Sequence, residues 1–206
     1  MKKEDQLIMA VKKDLLFKGD HFEGFKERGE LDLQKRILEN FEYLRRGDAE
    51  EDDNYKQPIG YAVLMDPEGK VFAYKRATKK RDYTEKRLRG KWSWGVGGHV
   101  DKPDEESDNP LKESVLRELG EEVFIDGEIR DPEVLGYIND ESNSVGRVHL
   151  GVLYLVRFSG EIRPGEAEIE KGEMMNLSEI EGLCEKGDHE IEEWSKIAIH
   201  TLKKMK

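Results

Sequence analysis

Cysteine is nearly absent from this sequence, because Cys184 is the only one among 206 residues. An internal disulfide is therefore impossible, and a zinc site built from several cysteines is excluded. The sequence also lacks any run of about 20 apolar residues, the length that a membrane-spanning helix requires. Its first residues contain no apolar stretch as long as that of a signal peptide. We therefore expect a cytoplasmic protein that has no membrane partner.

The sequence also has fewer basic residues than acidic ones. The sequence has 35 lysines and arginines against 46 aspartates and glutamates, which gives a net charge of -11. The phosphate backbone of a nucleic acid would repel such a chain unless a basic patch or a metal ion intervened. Nucleic acid is therefore disfavoured as a partner. Hydrophobic residues make up 36% of the chain, which is enough for the core of one domain with an added element.

Several patterns outline the organisation of the chain. Apolar residues at helical spacing predict an amphipathic helix over Leu33–Arg46, and the charged run Gly47–Asn54 predicts a solvated linker. Two β-rich runs on either side of a turn predict a hairpin over Pro58–Ala77. Gly146–Phe158 is nearly continuous in apolar residues, which predicts a central strand. The order of elements predicts an α/β (α+β) fold in which helices cover a sheet.

A further helix is predicted to begin at Asn109, a favoured N-cap residue that is followed by proline, and to run to about Val123. With a rotation of about 100° per residue, Glu118, Glu121 and Glu122 occupy one arc beside the buried stripe of this helix. Two interpretations are open at this point. The arc is either a solvated acidic surface or a site for a divalent metal ion, because Mg²⁺ prefers carboxylate oxygens and bridges them to substrate phosphates.

Two adjacent glycines, Gly97 and Gly98, follow a short predicted strand and leave backbone amide and carbonyl groups uncovered. A backbone carbonyl can serve as a further oxygen ligand of a metal ion. The spacing here is G-x-G-G-x-V rather than G-x-G-x-x-G, and the sequence contains no P-loop GK[ST] stretch. Phosphate sites of the Rossmann and P-loop types are therefore disfavoured.

The glycine pair and the stretch RELGEE together resemble the Nudix box, G-x5-E-x7-R-E-U-x-E-E-x-G-U, in which U is aliphatic. The residues that match the last part of this pattern are Arg117, Glu118, Leu119, Glu121, Glu122 and Ile125. The resemblance covers the chain from about Pro58 to the C-terminus. It implies a mixed β-sheet sandwiched between helices, with residues 58–206 as the catalytic domain and residues 1–57 as a helix-containing extension.

The sequence departs from the family pattern at two positions. The x7 spacing places Asn109 where the first glutamate is expected, so we infer an insertion of about four residues and consider Glu105 or Glu106 for that role. Phe124 replaces the usual glycine, so the helix is expected to end later than in the family, near Asp126. Both departures leave the arginine and the three later glutamates in place.

The resemblance implies a role for each matching residue. Glu121 and Glu122 would be the principal Mg²⁺ or Mn²⁺ ligands, and Glu118 would be a further ligand or the base that activates water. Arg117 would orient the glutamates, and the carbonyl of Gly97 would complete the metal shell. Catalysis would therefore depend on the arginine and the glutamates of one helix.

Many family members add a glutamate from a loop before the C-terminal helices. The corresponding loop is Gly165–Ile180, and its position relative to the residues MMNL makes Glu168 the first candidate and Glu166 the second. A solvated loop glutamate explains either residue equally well. The basic stretch Lys75–Lys91, which contains Arg89, is followed closely by the glycines. Two interpretations are open for it: a source of positive charge for substrate phosphates or a charged leaving group, and a solvated loop.

The expected function is Mg²⁺- or Mn²⁺-dependent hydrolysis of a diphosphate linkage in a small nucleoside-diphosphate-X type substrate. Gly98, His99 and Arg89 are the predicted substrate-binding residues. Two alternatives stay open: a nucleotide-sensing module of the same fold without turnover, and a diphosphate isomerase of the same fold. The N-terminal extension is expected to pack on the catalytic domain or to mediate a homodimer, because its aromatic residues need a surface to cover.

Overall fold

The structure is a computed structural model that describes residues 2–78, 86–165, 169–185, 187 and 189–204, without the side chains of Lys86 and Glu105. The helices of this part of the chain are α1 (Lys13–Phe17), α2 (Leu33–Asn40), α3 (Arg46–Glu51), α4 (Pro110–Glu122), α5 (Ser144–Val148), α6 (Leu177–Glu185) and α7 (Glu193–Lys203). Short 3₁₀ helices cover Lys3–Asp5, Lys86–Leu88 and Lys102–Glu106. No helix in the described ranges is long and apolar enough to cross a bilayer.

The strands in the same ranges are β1 (Leu7–Lys12), β2 (Gly24–Glu27), β3 (Glu42–Arg45), β4 (Tyr55–Met65), β5 (Val71–Arg76), β6 (Trp92–Ser93), β7 (Val123–Asp126), β8 (Glu133–Asn139), β9 (His149–Arg157), β10 (Glu161–Pro164) and β11 (Ile169–Met175). Nine of these described strands form one large sheet, and β7 and β10 form a two-stranded sheet. The fold is therefore mixed α/β, as predicted.

The chain forms two compact units, and β4, α4, β8 and β9 contribute residues to both. The first unit contains the chain up to Tyr61 together with Gly97–Leu116 and Val134–Tyr154. The second unit contains Ala62–Val96, Arg117–Glu133 and the chain from Leu155 onward. Each unit therefore combines segments that are distant in the sequence.

In the first unit, strands from the beginning of the chain pair with strands from later segments. β1 pairs antiparallel with β3 and with the start of β4, and β2 pairs antiparallel with β8. Ile8 and Met9 of β1 and Leu33 and Ile37 of α2 are fully buried. The first 57 residues thus contribute both strands and core side chains to this unit.

The first unit also contains a buried ion pair. The ammonium of Lys56 is fully buried and lies 2.9 Å from Oε1 of Glu141, and it donates to the carbonyl oxygen of Gly146 at 2.8 Å. Lys13 and His21 lie 3.7 and 3.4 Å from the same carboxylate. Desolvation alone would raise the pKa of Glu141, but the hydrogen bond and positive charge of Lys56 outweigh it and lower this pKa to about 2.

In the second unit, β5 pairs antiparallel with both β11 and β6. Trp94 is fully buried, and its indole Nε1 donates to the carbonyl oxygen of Ser195 at 2.8 Å. Ser195 lies in α7, so this contact joins the last helix to the segment after β6. The tryptophan therefore has a structural role in the core of this unit.

The predicted hairpin over Pro58–Ala77 is confirmed as β4 and β5, with Asp66 in the turn accepting from the backbone N–H of Lys70 at 2.7 Å. The helix predicted over Leu33–Arg46 is wrong in its second half. Residues 42–45 instead form β3, because they pair with β1, and long-range pairing overrides the helical spacing.

The solvated linker predicted over Gly47–Asn54 is also wrong. Most of this run belongs to α3, which begins at Arg46. Ala49 is fully buried within that helix. One apolar side chain in an otherwise polar run is enough to give a short helix a face that packs against the core.

Candidate active site

The helix that carries the three glutamates is positioned by a cap and by a close contact with β4. Asn109 caps α4, since its Oδ1 accepts from the backbone N–H three residues later at 3.2 Å. Val115 and Leu119 are buried. A Cβ atom added to Gly60 of β4 would lie 2.6 Å from Cγ2 of Val115, so the strand needs glycine where the helix crosses it.

The helix ends at Glu122, and the expected extension toward Asp126 is wrong. Residues 123–126 form β7, which pairs with β10. Phe124, at the position where the family pattern has glycine, is 48% exposed, and the guanidinium of Arg163 lies 4.3 Å from its ring centre. Phe124 therefore belongs to an outward-facing strand position, where a large side chain is tolerated.

One arginine contacts two of the predicted site glutamates. Nη1 of Arg117 donates to Oε1 of Glu118 at 2.7 Å and lies 3.5 Å from Oε1 of Glu121. The side chain of Glu118 is 15% exposed, whereas that of Glu121 is 55% exposed. Glu118 and Glu122 follow the buried Ser114 at intervals of four residues, so they continue one side of the helix.

The donor atoms on α4 are of the kind that a divalent cation requires. Carboxylate oxygens are the preferred protein ligands of Mg²⁺, and the positive Arg117 already lies between two of them. Three glutamates and one arginine within six residues leave an excess of negative charge. In the described ranges, however, no three His, Cys, Asp or Glu side chains are arranged to hold a metal ion together.

Residues 96–99, here called the glycine segment, extend the sheet beside β4. Val96 and Ala62 exchange backbone hydrogen bonds of 2.7 and 2.9 Å, and the N–H of Gly60 donates to the carbonyl oxygen of Gly98 at 3.1 Å. Gly97 has a φ of 146°, and a Cβ atom there would lie 1.8 Å from the carbonyl oxygen of Gly60. Glycine is therefore required at position 97 for both its backbone conformation and its close approach to β4.

His99 lies opposite Ile59 of β4 in an isolated antiparallel bridge. Residues opposite each other in such a pair place their side chains on the same face of the sheet. Because successive residues of a strand alternate between faces, this face is the one opposite to the face on which Gly60 meets α4. Nε2 of His99 lies 2.9 Å from Oε1 of Gln57, which is on the same face.

Arg89, the remaining predicted substrate-binding residue, is half-buried and directly follows the 3₁₀ helix Lys86–Leu88. The central part of the predicted basic stretch, residues 79–85, lies outside the described residues. The next residue, Gly90, has a φ of 71°. Arg89 is thus held at a turn that leads back into β6.

Glu168, the predicted ligand from the loop, lies outside the described residues, as does Glu166. The residue just before them is placed: the backbone N–H of Gly165 donates to the carbonyl oxygen of Glu122 at 2.9 Å. Further along, Glu173 is paired with Lys171 at 2.7 Å. The segment predicted as a loop therefore starts directly against the last residue of α4. The loop prediction is wrong over most of the described part of Gly165–Ile180, because residues 169–175 form β11, which pairs with β5, and α6 begins at Leu177.

The sequence analysis missed one acidic residue of the Nudix-like segment. Asp104 lies six residues after Gly98, which is the x5 spacing of the pattern, with aspartate in place of glutamate. It is buried, and its carboxylate accepts from the backbone N–H of Asp101 at 2.8 Å. Glu106, one of the two predicted candidates, is exposed. The exact x5 spacing from Gly98 identifies Asp104 rather than Glu105 or Glu106 once aspartate is accepted at this position.

Comparisons with known proteins agree on one family. A family model described as NUDIX domain matches residues 56–196. Protein YmaB of Bacillus subtilis (strain 168) is 35% identical over 214 residues, which cover 98% of this chain and 100% of YmaB. Both matches include the helix that carries the three glutamates.

Solved structures show the same relationship. The crystal structure of Tm1382, which is classed with the Nudix hydrolases, is 31% identical with a TM-score of 0.78 and covers 98% of this chain and 100% of its own. The NUDIX domain of Shewanella oneidensis NrtR, solved in complex with ADP ribose, is 19% identical with a TM-score of 0.52, over 73% of this chain and 88% of its own. The second likeness extends to the fold alone. The chain therefore belongs to the Nudix family of pyrophosphohydrolases.

Proposed function

We propose that this protein hydrolyses the diphosphate linkage of a nucleoside-diphosphate-X type substrate in the presence of Mg²⁺ or Mn²⁺. The observation that carries the proposal is the intact R-E-L-G-E-E segment on α4, in which Arg117 contacts both Glu118 and Glu121. A protein that had lost turnover would have no need to keep this full set of charges. The bound ADP ribose of the NrtR domain supports a nucleoside diphosphate as the substrate class.

The carboxylates of Glu118, Glu121 and Glu122 would hold the metal ions, with the carbonyl of Gly97 as a proposed further ligand. Bound Mg²⁺ or Mn²⁺ would neutralise the substrate diphosphate and make a coordinated water more acidic. Arg117 would keep the two carboxylates it contacts aligned and partly neutralised until substrate binds. This arrangement limits the repulsion among three neighbouring acids.

Glu118 is the proposed base because its side chain is the more sheltered of the two that Arg117 contacts. It would accept a proton from the attacking water, whose oxygen forms a new bond to one phosphorus. The bond from that phosphorus to the bridging oxygen then breaks, and the bridging oxygen leaves on the other phosphate. A base next to its water must lie within hydrogen-bond distance of it, which a residue on the metal-binding helix can satisfy.

Gly98, His99 and Arg89 stay the proposed substrate-binding residues, and Arg89 supplies positive charge for the phosphates. Glu168 stays the proposed ligand from the loop, supported by the hydrogen bond that joins the start of this loop to Glu122. We expect Glu168→Ala to lower kcat while metal binding to the free protein changes little, because a ligand from outside α4 would join the site together with the substrate. Glu173→Ala is the matched control, and an equal loss in both variants would contradict the role of Glu168.

The test of the function is a product-release assay over nucleotide sugars, dinucleotides and nucleoside triphosphates, with Mg²⁺, with Mn²⁺ and with chelator. The expected result is metal-dependent hydrolysis of at least one diphosphate compound by the wild-type protein and loss of it in Glu122→Gln. Binding of a nucleotide without any turnover would instead favour a sensing module. Rearrangement of a diphosphate without hydrolysis would favour an isomerase.

Surface exposure and composition support two further proposed properties, a homodimer and a cytoplasmic location. A homodimer would cover Leu7 and Leu15, both 42% exposed in the N-terminal region. A cytoplasmic location fits the single cysteine. Light scattering of the full chain gives its mass in solution, and a monomeric mass at micromolar concentration would contradict the proposed homodimer.

A further inference from the structure

A cluster of nitrogen and oxygen donor atoms lies in the first unit, apart from the carboxylates of α4. Nε2 of His99 lies 3.1 Å from Nε2 of His149 and 2.9 Å from Oε1 of Gln57. Gln57 is fully buried, His149 is 6% exposed and His99 is half-buried. The three side chains come from β4, the glycine segment and β9, so only the folded chain brings them together.

The hydrogen bond on the far side of His149 defines the state of its ring. Nδ1 of His149 lies 2.7 Å from the carbonyl oxygen of Val145, and a carbonyl can only accept. Nδ1 therefore carries the proton, and Nε2 of the neutral ring keeps its lone pair on the side of His99. An imidazole held by a backbone carbonyl in this way is the usual arrangement of a metal-binding histidine.

The distances also fit a shared ion. A first-row metal ion binds imidazole nitrogen at about 2.0–2.1 Å, so two donors on one ion lie about 2.9 Å apart at a right angle and up to about 3.4 Å apart at the tetrahedral angle of zinc. Both measured distances, 3.1 and 2.9 Å, fall in this interval. The amide nitrogen of the buried Gln57 has no hydrogen-bond partner among the described residues, whereas its oxygen contacts Nε2 of His99.

We propose that Gln57, His99 and His149 form a binding site for a first-row transition-metal ion such as Zn²⁺ or Ni²⁺. Imidazole nitrogen suits these ions, whereas Mg²⁺ prefers oxygen ligands. When the ion binds, the proton on Nε2 of His99 moves through water to Nδ1 of the same ring, and the ring stays neutral. Water molecules complete the coordination shell from the side of His99, the most exposed of the three residues.

The site lies on the face of β4 opposite to the one that packs against α4, because His99 and Gln57 share the face of Ile59 while Gly60 meets Val115. The ion would therefore be held without the carboxylates of α4. An ion held there ties β4, the glycine segment and β9 together within the first unit. Such an ion stabilises the folded chain by binding it in preference to the unfolded chain.

The test is a titration of the full, chelator-stripped chain with Zn²⁺ in competition with a chromophoric chelator, together with thermal unfolding. We expect one equivalent to bind, and we expect His99→Gln and His149→Gln each to weaken binding by about tenfold or more. His200→Gln changes an exposed histidine of α7 and should leave the affinity unchanged. Glu122→Gln should also retain this equivalent, which separates the site from a metal bound on α4.

The proposal is overturned if the chain binds no Zn²⁺ equivalent, or if folded His99→Gln and His149→Gln bind it as tightly as the wild type. The three residues would then be a hydrogen-bonded cluster in which Nε2 of His99 donates to both neighbours. If His149→Gln does not fold, nitrogen chemical shifts of the histidines in the wild-type chain decide the matter. Zn²⁺ should shift Nε2 of His99 and His149 together, and unchanged shifts overturn the proposal.

Discussion

Two charged clusters of this protein balance their charge in different ways. In the first unit, the fully buried Lys56 is paired with Glu141, and Lys13 and His21 lie beside the same carboxylate. On α4, Arg117 is the one basic residue in a segment of six that also contains three glutamates. Positive charge is in excess around the first carboxylate, and negative charge is in excess on the helix.

Under the proposed function, this difference separates a structural cluster from a catalytic one. A buried charge whose partner is removed is left without compensation, which makes the pair around Lys56 important for stability. Like charges at the surface of a helix cost only about 0.2–0.5 kcal/mol per pair. The helix can therefore carry an excess of carboxylates at low cost and use it to bind cations. The predictions below test whether stability and activity separate along this line.

The largest effect is expected on activity from Glu122→Gln. The substitution keeps the shape of the side chain and removes one of the proposed metal ligands, so kcat should fall by about 10²–10³. The free energy of unfolding should change by less than about 0.5 kcal/mol, as for other partly exposed helix positions. Steady-state kinetics and urea denaturation measure the two quantities. Glu128→Gln, at an exposed position, is the control. Wild-type turnover in Glu122→Gln would contradict the proposed metal site on α4.

Glu141→Gln should give the reverse pattern. It leaves the ammonium of Lys56 buried without its charged partner, and we expect a loss of about 2–3 kcal/mol in the free energy of unfolding. Turnover per folded molecule should stay within about twofold of the wild type. Glu133→Gln, an exposed position at the start of β8, is the matched control. An unchanged unfolding midpoint would mean that the pair around Lys56 does not contribute to stability.

A smaller effect on activity is expected from Arg117→Ala. Glu118 and Glu121 would lose the side chain that holds them, and kcat/KM should fall by about 10–100-fold. The diagnostic measurement is the Mg²⁺ concentration at half-maximal rate, which should change because repulsion between the two carboxylates is no longer reduced. If only thermal stability changed and the Mg²⁺ dependence stayed the same, the arginine would be purely structural.

The smallest effect concerns pH. The pKa of Glu141 is lowered from 4.5 to about 2 by the hydrogen bond and positive charge of Lys56, against the opposing effect of desolvation. The unfolded chain therefore binds a proton at this group before the folded chain does, and the stabilisation is complete above about pH 4.5 and lost as pH falls toward 2. The free energy of unfolding should be higher for the wild type than for Glu141→Gln, and this difference should decrease as the pH is lowered from 6 to 3. An increase over the same pH range would contradict the lowered pKa of Glu141.

The elements predicted correctly are those with local signals. The cap at Asn109 and the apolar spacing of α4 lie within one short segment. The turn at Asp66, which joins β4 to β5, also depends only on residues close in sequence. Each signal acts between residues a few positions apart, so it is readable without the rest of the fold. The glutamates of α4 were identified for the same reason, because their spacing alone places them on one arc of a helix.

The errors lie where distant strands decide the outcome. Residues 42–45 have helical spacing, yet they form β3 because β1 offers a pairing partner more than thirty residues earlier. The end of α4 was misplaced because β7 pairs with β10, and nothing near Phe124 indicates this partner. Pairing of this kind depends on which segments meet in the folded chain.

The charge of this protein, the helix with its arginine and three glutamates, and the Nudix pattern around them can be read from the sequence alone. The i,i+4 spacing of Arg117 and Glu121 also predicts their contact. The cluster in which His99 contacts both Gln57 and His149, from distant parts of the chain, exists only in the folded structure. Local spacing follows from the geometry of one helix or strand. Contacts across the sheet depend on the core and on the register of strands that are remote in sequence.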